Sequence, residues 1–204
     1  MGVPILPMGD RALLAEPGDL DAVLALHAAL AANRPPGVVD LVPAARTVLV
    51  RIDPAVLPLP AAERWIADAT PLPSADRPAA EVRIPVRYDG PDLAATAELL
   101  GLTPADLIAR HTGTQWTAGF LGFGPGFAYL VSDVDLAVPR LPTSRPRVPA
   151  GSVALAGPYS AVYPRESPGG WRLIGSTDAA LWDEVRDPPA LLPPGTRVRF
   201  EAIP

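Results

Sequence analysis

Three stretches of this sequence concentrate residue types that can do chemistry. The first is Gly122-Phe123-Gly124-Pro125-Gly126-Phe127-Ala128-Tyr129-Leu130. Its glycines let a backbone approach a ligand closely, and its proline stiffens the loop. The G-x-G-x-x-G spacing of a dinucleotide fingerprint is absent. Two readings stay open: a ligand loop in which Phe123, Pro125, Phe127 and Tyr129 shape a pocket, or a tight barrel corner packed with aromatic rings. The second stretch runs from Pro139-Arg140 through Arg145-Pro146-Arg147-Val148-Pro149-Ala150-Gly151-Ser152. Guanidinium groups spaced by prolines can hold a carboxylate or phosphate through paired hydrogen bonds, which makes Arg140, Arg145 and Arg147 candidate anion receptors. The alternative is a solvated loop with surface ion pairs. Ser152, at the end of this stretch, joins the candidate binding residues. It lies in Ala-Gly-Ser-Val-Ala, so a nucleophile elbow is not indicated. The third stretch, Tyr163-Pro164 followed by Ser167-Pro168-Gly169-Gly170-Trp171, reads as a structural turn entering a strand through a buried tryptophan. His111 ends the helix before the first stretch and is the candidate catalytic group, since a histidine there can be a base, a hydrogen-bond donor or a cap. No complete catalytic constellation emerges from spacing alone.

The elements that must position these residues fall into two textures. Residues 11–15 read as a strand, and Asp19 or Asp21 caps a helix over 20–32 that Pro35-Pro36-Gly37 stops. His27 falls on the apolar face of that helix and reads as a core-edge residue. Strands follow over 38–42 and 47–52, then a helix over 61–69 and a proline-rich connector over 71–79. Val82, Ile84 and Val86 alternate with Arg83, Pro85 and Arg87, a strand that belongs to either half. The order so far, β-α-β-β-α-β, predicts a ferredoxin-like split βαβ unit. Beyond Tyr88 come two short helices, over 91–100 and from Thr103-Pro104-Ala105-Asp106 to about Arg110. Short strands then follow over 116–123, 152–156, 171–175 and 196–203, which suggests a closed or nearly closed barrel. The expected division is 1–80 for the small α/β domain and 81–204 for the barrel.

Composition removes whole classes of function. The 204 residues carry a net charge of −5 with pI near 5.0, against a nucleic-acid binder, whose phosphate contacts need a basic face. There is no cysteine, which excludes disulfides, zinc–thiolate sites and thiol nucleophiles. All 17 basic residues are arginine, which excludes a P-loop lysine and Schiff-base chemistry. Two histidines are too few for a His-rich metal site, and no metal-ligand set is expected. No apolar run approaches the roughly 18 residues of a membrane span, and the N-terminus lacks a basic signal region, so a cytoplasmic protein is expected.

The same stretches resemble the 5-oxoprolinase B-subunit family (PxpB), also known as KipI or allophanate hydrolase subunit 1. The resemblance runs through Gly9-Asp10-Arg11-Ala12-Leu13-Leu14, residues 36–43 (PGVVDLVP), Tyr88-Asp89-Gly90-Pro91-Asp92-Leu93, His111-Thr112, and residues 122–130, 147–157 and 163–175. It implies an α+β protein with a small N-terminal α/β domain followed by a cyclophilin-like β-barrel. It implies a role as the B-subunit in ATP-dependent opening of 5-oxo-L-proline to L-glutamate. Its partners would be a KipA-like 5-oxoprolinase C-subunit, with a related barrel, together with a 5-oxoprolinase A-subunit. Mg²⁺ would come with ATP or be held by a partner. The resemblance also covers a urea carboxylase or allophanate-pathway component and an inhibitor of a sensor histidine kinase. Where the family often has Gln-Thr-Gly, this chain has Tyr159-Ser160-Ala161; it also departs at Ser144-Arg145, Ser176 and Trp116. These departures bear on the substrate, 5-oxoproline or a related lactam or amide, more than on the fold. In this setting Phe123, Phe127 and Tyr129 are expected either to line the pocket or to anchor the interface with the KipA-like partner.

Overall fold

Asp19 decides where the first helix begins. Its backbone is extended and its Oδ1 accepts the Ala22 N–H at 2.9 Å, so α1 spans Leu20–Ala32 and buries Val23, Leu26 and Leu30. The computed structural model describes residues 2–73 and 80–204, and the chain divides into two units, Met1–Pro78 and Ala79–Pro204. In the first unit β1 (Ile5–Pro7), β2 (Ala12–Ala15), β3 (Val38–Pro43) and β4 (Val48–Ile52) form an antiparallel sheet of order β1-β2-β4-β3. Helix α2 (Leu59–Ala67) buries Ala62 and Ile66 in the core that also holds Leu13, Val48 and Val50. This is the split βαβ pattern with one exchange. The edge position beside β2 is filled by β1, not by the strand expected over 82–86. Three residues ending in proline carry no alternation, so β1 was invisible as a pattern. Most of the proline-rich connector, residues 74–79, lies outside the described residues.

The strand over 82–86 is β5 (Glu81–Val86) of the second unit. It pairs in parallel with β13 (Arg197–Ala202), in register from Arg197 opposite Glu81 to Ala202 opposite Val86. With β6 (Trp116–Leu121), β7 (Ala128–Val131), β9 (Ser152–Ala156), β10 (Tyr159–Val162) and β12 (Arg172–Ser176) these strands make a seven-stranded sheet of order β12-β9-β10-β7-β6-β13-β5. The sheet all but closes on itself. Its two edges meet where Arg87 and Ser176 exchange backbone hydrogen bonds of 2.8 and 2.7 Å. Closure removes most of the exposed strand edge. Inside sit Trp116, Phe200, Ile84, Leu130 and Leu155. Helices α3 (Leu93–Leu99) and α4 (Pro104–Gly113) follow β5. The start of α4 is fixed by a capping box between Thr103 and Asp106. A two-stranded ribbon, β8 (Arg145–Val148) with β11 (Ser167–Gly169), stands apart from the main sheet. Among the described residues no helix is long and apolar enough to cross a membrane.

Glycine makes the closure sterically feasible. A Cβ on Gly175 would lie 2.5 Å from the Arg87 carbonyl oxygen, and one on Gly90 would lie 2.3 Å from that of Leu173. Gly175→Ala therefore forces the seam apart and is expected to cost at least about 1–3 kcal/mol in urea unfolding. Gly113, near the end of α4, has open space around its would-be Cβ. Gly113→Ala should be neutral or mildly stabilising. Equal effects of the two substitutions would contradict the close approach at the seam.

Candidate functional site

The outer side of the barrel strands carries an aromatic pocket. Tyr129 on β7 and Tyr159 on β10 project to the same side and meet edge to face, with centroids 5.5 Å apart. Trp171, just before β12, stands 5.6 Å from Tyr129 and 5.5 Å from Phe127. Phe127 is 1% exposed and forms the floor with Tyr163, whereas Phe123 is 48% exposed and stands at the rim. Together with Pro139 and Arg140 these rings enclose about 350 Å³. Two glycines shape the walls. Gly157 adopts φ +53° at the turn between β9 and β10. A Cβ on Gly169 would lie 2.3 Å from the Tyr163 hydroxyl, so only glycine admits that phenol. Burial pushes the Tyr163 phenol above its ordinary value, opposed by a backbone hydrogen bond from Trp171 and by the charges of Arg140 and Arg145. It stays protonated at neutral pH and can donate.

The three candidate arginines have different fates. Arg140 reaches the pocket, and among the described residues no carboxylate pairs with it. Arg145 is already engaged. Its Nη2 donates to Asp92 Oδ1 at 2.7 Å, and Asp92 Oδ2 accepts the Leu173 N–H, also at 2.7 Å. Nη1 reaches the Trp171 carbonyl at 3.4 Å. Asp92 stands at the N-cap of α3 yet makes no capping hydrogen bond with its side chain. Its carboxylate instead holds the backbone behind Trp171, and so sets the pocket's rear wall. Arg147 has an 81% exposed side chain 3.8 Å from Glu166 and lies off the pocket lining.

The remaining candidates lie elsewhere too. Ser152 Oγ donates to the Pro149 carbonyl at 2.8 Å and is 6% exposed, which ties a turn. Pro125 is exposed at the tip of the 122–130 loop and does not line the pocket. His111 is inside the barrel core, fully buried. Its Nδ1 lies 2.7 Å from the Tyr88 hydroxyl and its Nε2 2.9 Å from Ser160 Oγ, while its ring stacks on Phe200 at 4.4 Å. A Tyr88 O–H donating to Nδ1 leaves Nε2–H for Ser160, which satisfies both nitrogens in the neutral ring. Burial lowers the His111 value to about 3. The sequence reading missed Tyr159 and treated Tyr163 and Trp171 as structure. The available signal was the departure at Tyr159-Ser160-Ala161: a strand's alternation sends Tyr159 outward to the pocket and Ser160 inward to His111.

That buried imidazole has a consequence for acid stability. The unfolded chain protonates His111 near 6.5, the folded chain only near 3. Below pH 6.5 the unfolded state binds the extra proton, so stability falls with pH by up to about 1.4 kcal/mol per unit from this residue. His27, also lowered by burial, acts with the same sign. Urea unfolding of His111→Gln should therefore lose stability less steeply than wild type between pH 6.5 and about 4.5. Parallel slopes would mean that His111 is charged in the fold.

The sequence matches the carboxyltransferase domain family, subdomains C and D, over residues 3–192. It is 42% identical over 173 residues to the B-subunit of 5-oxoprolinase from Escherichia coli O157:H7, covering 81% of this chain and 78% of that protein. It is 44% identical over 126 residues to the B-subunit of 5-oxoprolinase from Bacillus subtilis (strain 168), covering 60% of this chain and 52% of that protein. The crystal structure of TTHA0988 superposes with a TM-score of 0.82 at 38% identity, over 95% of this chain. This chain spans 40% of the length of TTHA0988.

Proposed function

The chain belongs to the 5-oxoprolinase B-subunit family, and on that footing we propose that its aromatic pocket binds the lactam in an ATP-dependent 5-oxoprolinase, which opens 5-oxo-L-proline to L-glutamate. The observation that carries this reading is one guanidinium, Arg140, with no carboxylate partner among the described residues, beside a cavity walled by aromatic rings. A flat five-membered lactam with one carboxylate suits that arrangement. Its ring stacks against Tyr129, Tyr159 or Trp171, and its carboxylate takes paired hydrogen bonds from Arg140. The neutral Tyr163 hydroxyl is a donor for a carbonyl oxygen. The rings also keep bulk water from the bound amide, which strengthens each polar contact.

A lactam carbonyl is a poor electrophile, and ATP, when bound, would supply the phosphoryl group that activates its oxygen. Among the described residues the pocket lining offers one guanidinium and three phenols, with no carboxylate or imidazole to activate a water. In this reading the nucleotide, its Mg²⁺ and the general base belong to, or are shared with, the KipA-like C-subunit or the A-subunit. The lone chain binds but does not turn over. His111, neutral and enclosed, acts as a core residue behind β10, not as a proton carrier.

The test is ligand discrimination by the purified chain. Calorimetry should show 5-oxo-L-proline binding at least about 10-fold more tightly than 2-pyrrolidinone, which keeps the lactam and lacks the carboxylate. Equal affinities, or no binding of either, would remove the lactam from this pocket.

A further inference from the structure

Beside the aromatic pocket lies a second, smaller cleft of about 190 Å³, room for roughly six waters. Phe123 belongs to both cavities and forms the partition between them. The rest of the small cleft is Gly124, Pro164, Arg165, Ser167 and Pro168. Among the described residues its lining therefore holds one cation, one hydroxyl and no acid. Glu166, the carboxylate next in sequence, pairs with Arg147 instead. Among the described residues Arg165 has no ion pair of its own. Its Nη2 would lie 3.9 Å from a Cβ on Gly124, so the guanidinium lies across the glycine loop and faces the cleft. The Arg165 carbonyl takes the Ser167 hydroxyl at 3.3 Å, which ties the turn that carries this cation.

The partition is half exposed. Phe123 meets Phe127 at a centroid distance of 4.9 Å and Tyr163 at 6.1 Å, and is 48% exposed. Two guanidinium groups that have no ion pair among the described residues thus line two adjoining cavities that share the Phe123 ring. We propose that the Arg165 cleft is a second anion subsite, which takes a phosphoryl group while the aromatic pocket and Arg140 hold the ring and carboxylate of the same ligand. The ligand class is a small cyclic amide that carries a carboxylate at one end and a phosphoryl oxyanion at the other. This assignment rests on the lactam reading of the larger pocket, but the subsite's anion preference is testable apart from it.

The probe is inorganic phosphate, followed by ³¹P line broadening as the full chain is titrated in. Wild type should broaden the signal, and saturating 5-oxo-L-proline should not abolish the effect. Arg165→Ala, at an exposed residue, should weaken phosphate binding at least about 10-fold while leaving 5-oxo-L-proline binding intact. Arg140→Ala should do the reverse. The subsite is overturned if wild type leaves the phosphate line unchanged, if Arg165→Ala retains the broadening, or if Arg140→Ala removes it. Arg165-dependent phosphate binding with no 5-oxo-L-proline binding would keep the subsite and defeat the lactam reading instead.

Discussion

Arg140→Ala is expected to weaken 5-oxo-L-proline binding by about 10- to 100-fold, the loss of a charge-assisted pair worth about 1.5–3 kcal/mol. Among the described residues Arg140 is the only charged one in the lining of the aromatic pocket, so no described neighbour there can replace it. Its side chain is exposed, and its removal leaves the core untouched. Urea unfolding of the variant should match wild type within about 0.5 kcal/mol. Arg140→Lys should recover only part of the affinity, because an ammonium lacks the planar fork that meets both carboxylate oxygens. The check is a calorimetric titration of the three proteins beside their unfolding curves. Unchanged affinity in a folded Arg140→Ala chain would return this arginine to the solvated surface.

Asp92→Ala carries the largest expected effect on stability. It leaves the Arg145 guanidinium without its counter-ion and the buried Leu173 N–H without an acceptor. Breaking a fully buried pair costs about 3–5 kcal/mol, and with the Arg145 side chain 28% exposed the expectation here is about 2–4 kcal/mol. Asp92→Asn keeps an acceptor for the Leu173 N–H and should lose less. A double-mutant cycle with Arg145→Ala should give a coupling above about 1 kcal/mol, since the two side chains share one contact. Additive effects would show that the carboxylate and guanidinium act independently. Because Arg145 also holds the Trp171 carbonyl, the folded fraction of Asp92→Asn should bind ligand more weakly, with altered tryptophan fluorescence.

Local signals in the sequence were enough for the elements whose ends are set by near neighbours. Asp19 fixes α1 and the Thr103–Asp106 box fixes α4, each within four residues. The expected boundary at 80/81 put β5 with the barrel, but its local pattern left it open to either half, because its parallel partner β13 lies at the far end of the chain. The same limit governed the site. Arg140, Arg145 and Arg147 are alike as text, and only the fold brings Asp92 to the second and leaves the first facing a pocket. His111 stood at a helix end, where a histidine can be a base, a hydrogen-bond donor or a cap, but Phe200, stacked on it from β13, encloses it in the core. The 122–130 loop was legible in part. Its alternation puts Phe127 and Tyr129 at the pocket, whereas Phe127 is too buried to serve as an interface anchor.

Glutamate formation by a reconstituted complex tests the central claim most directly. This chain, a KipA-like C-subunit plus an A-subunit would be combined with 5-oxo-L-proline, Mg²⁺ and ATP, with each component omitted in turn. The account predicts ATP-dependent glutamate release by the full set, none from this chain alone, and loss of release when this chain is left out. Release that persists without this chain, or turnover by this chain alone, would contradict it.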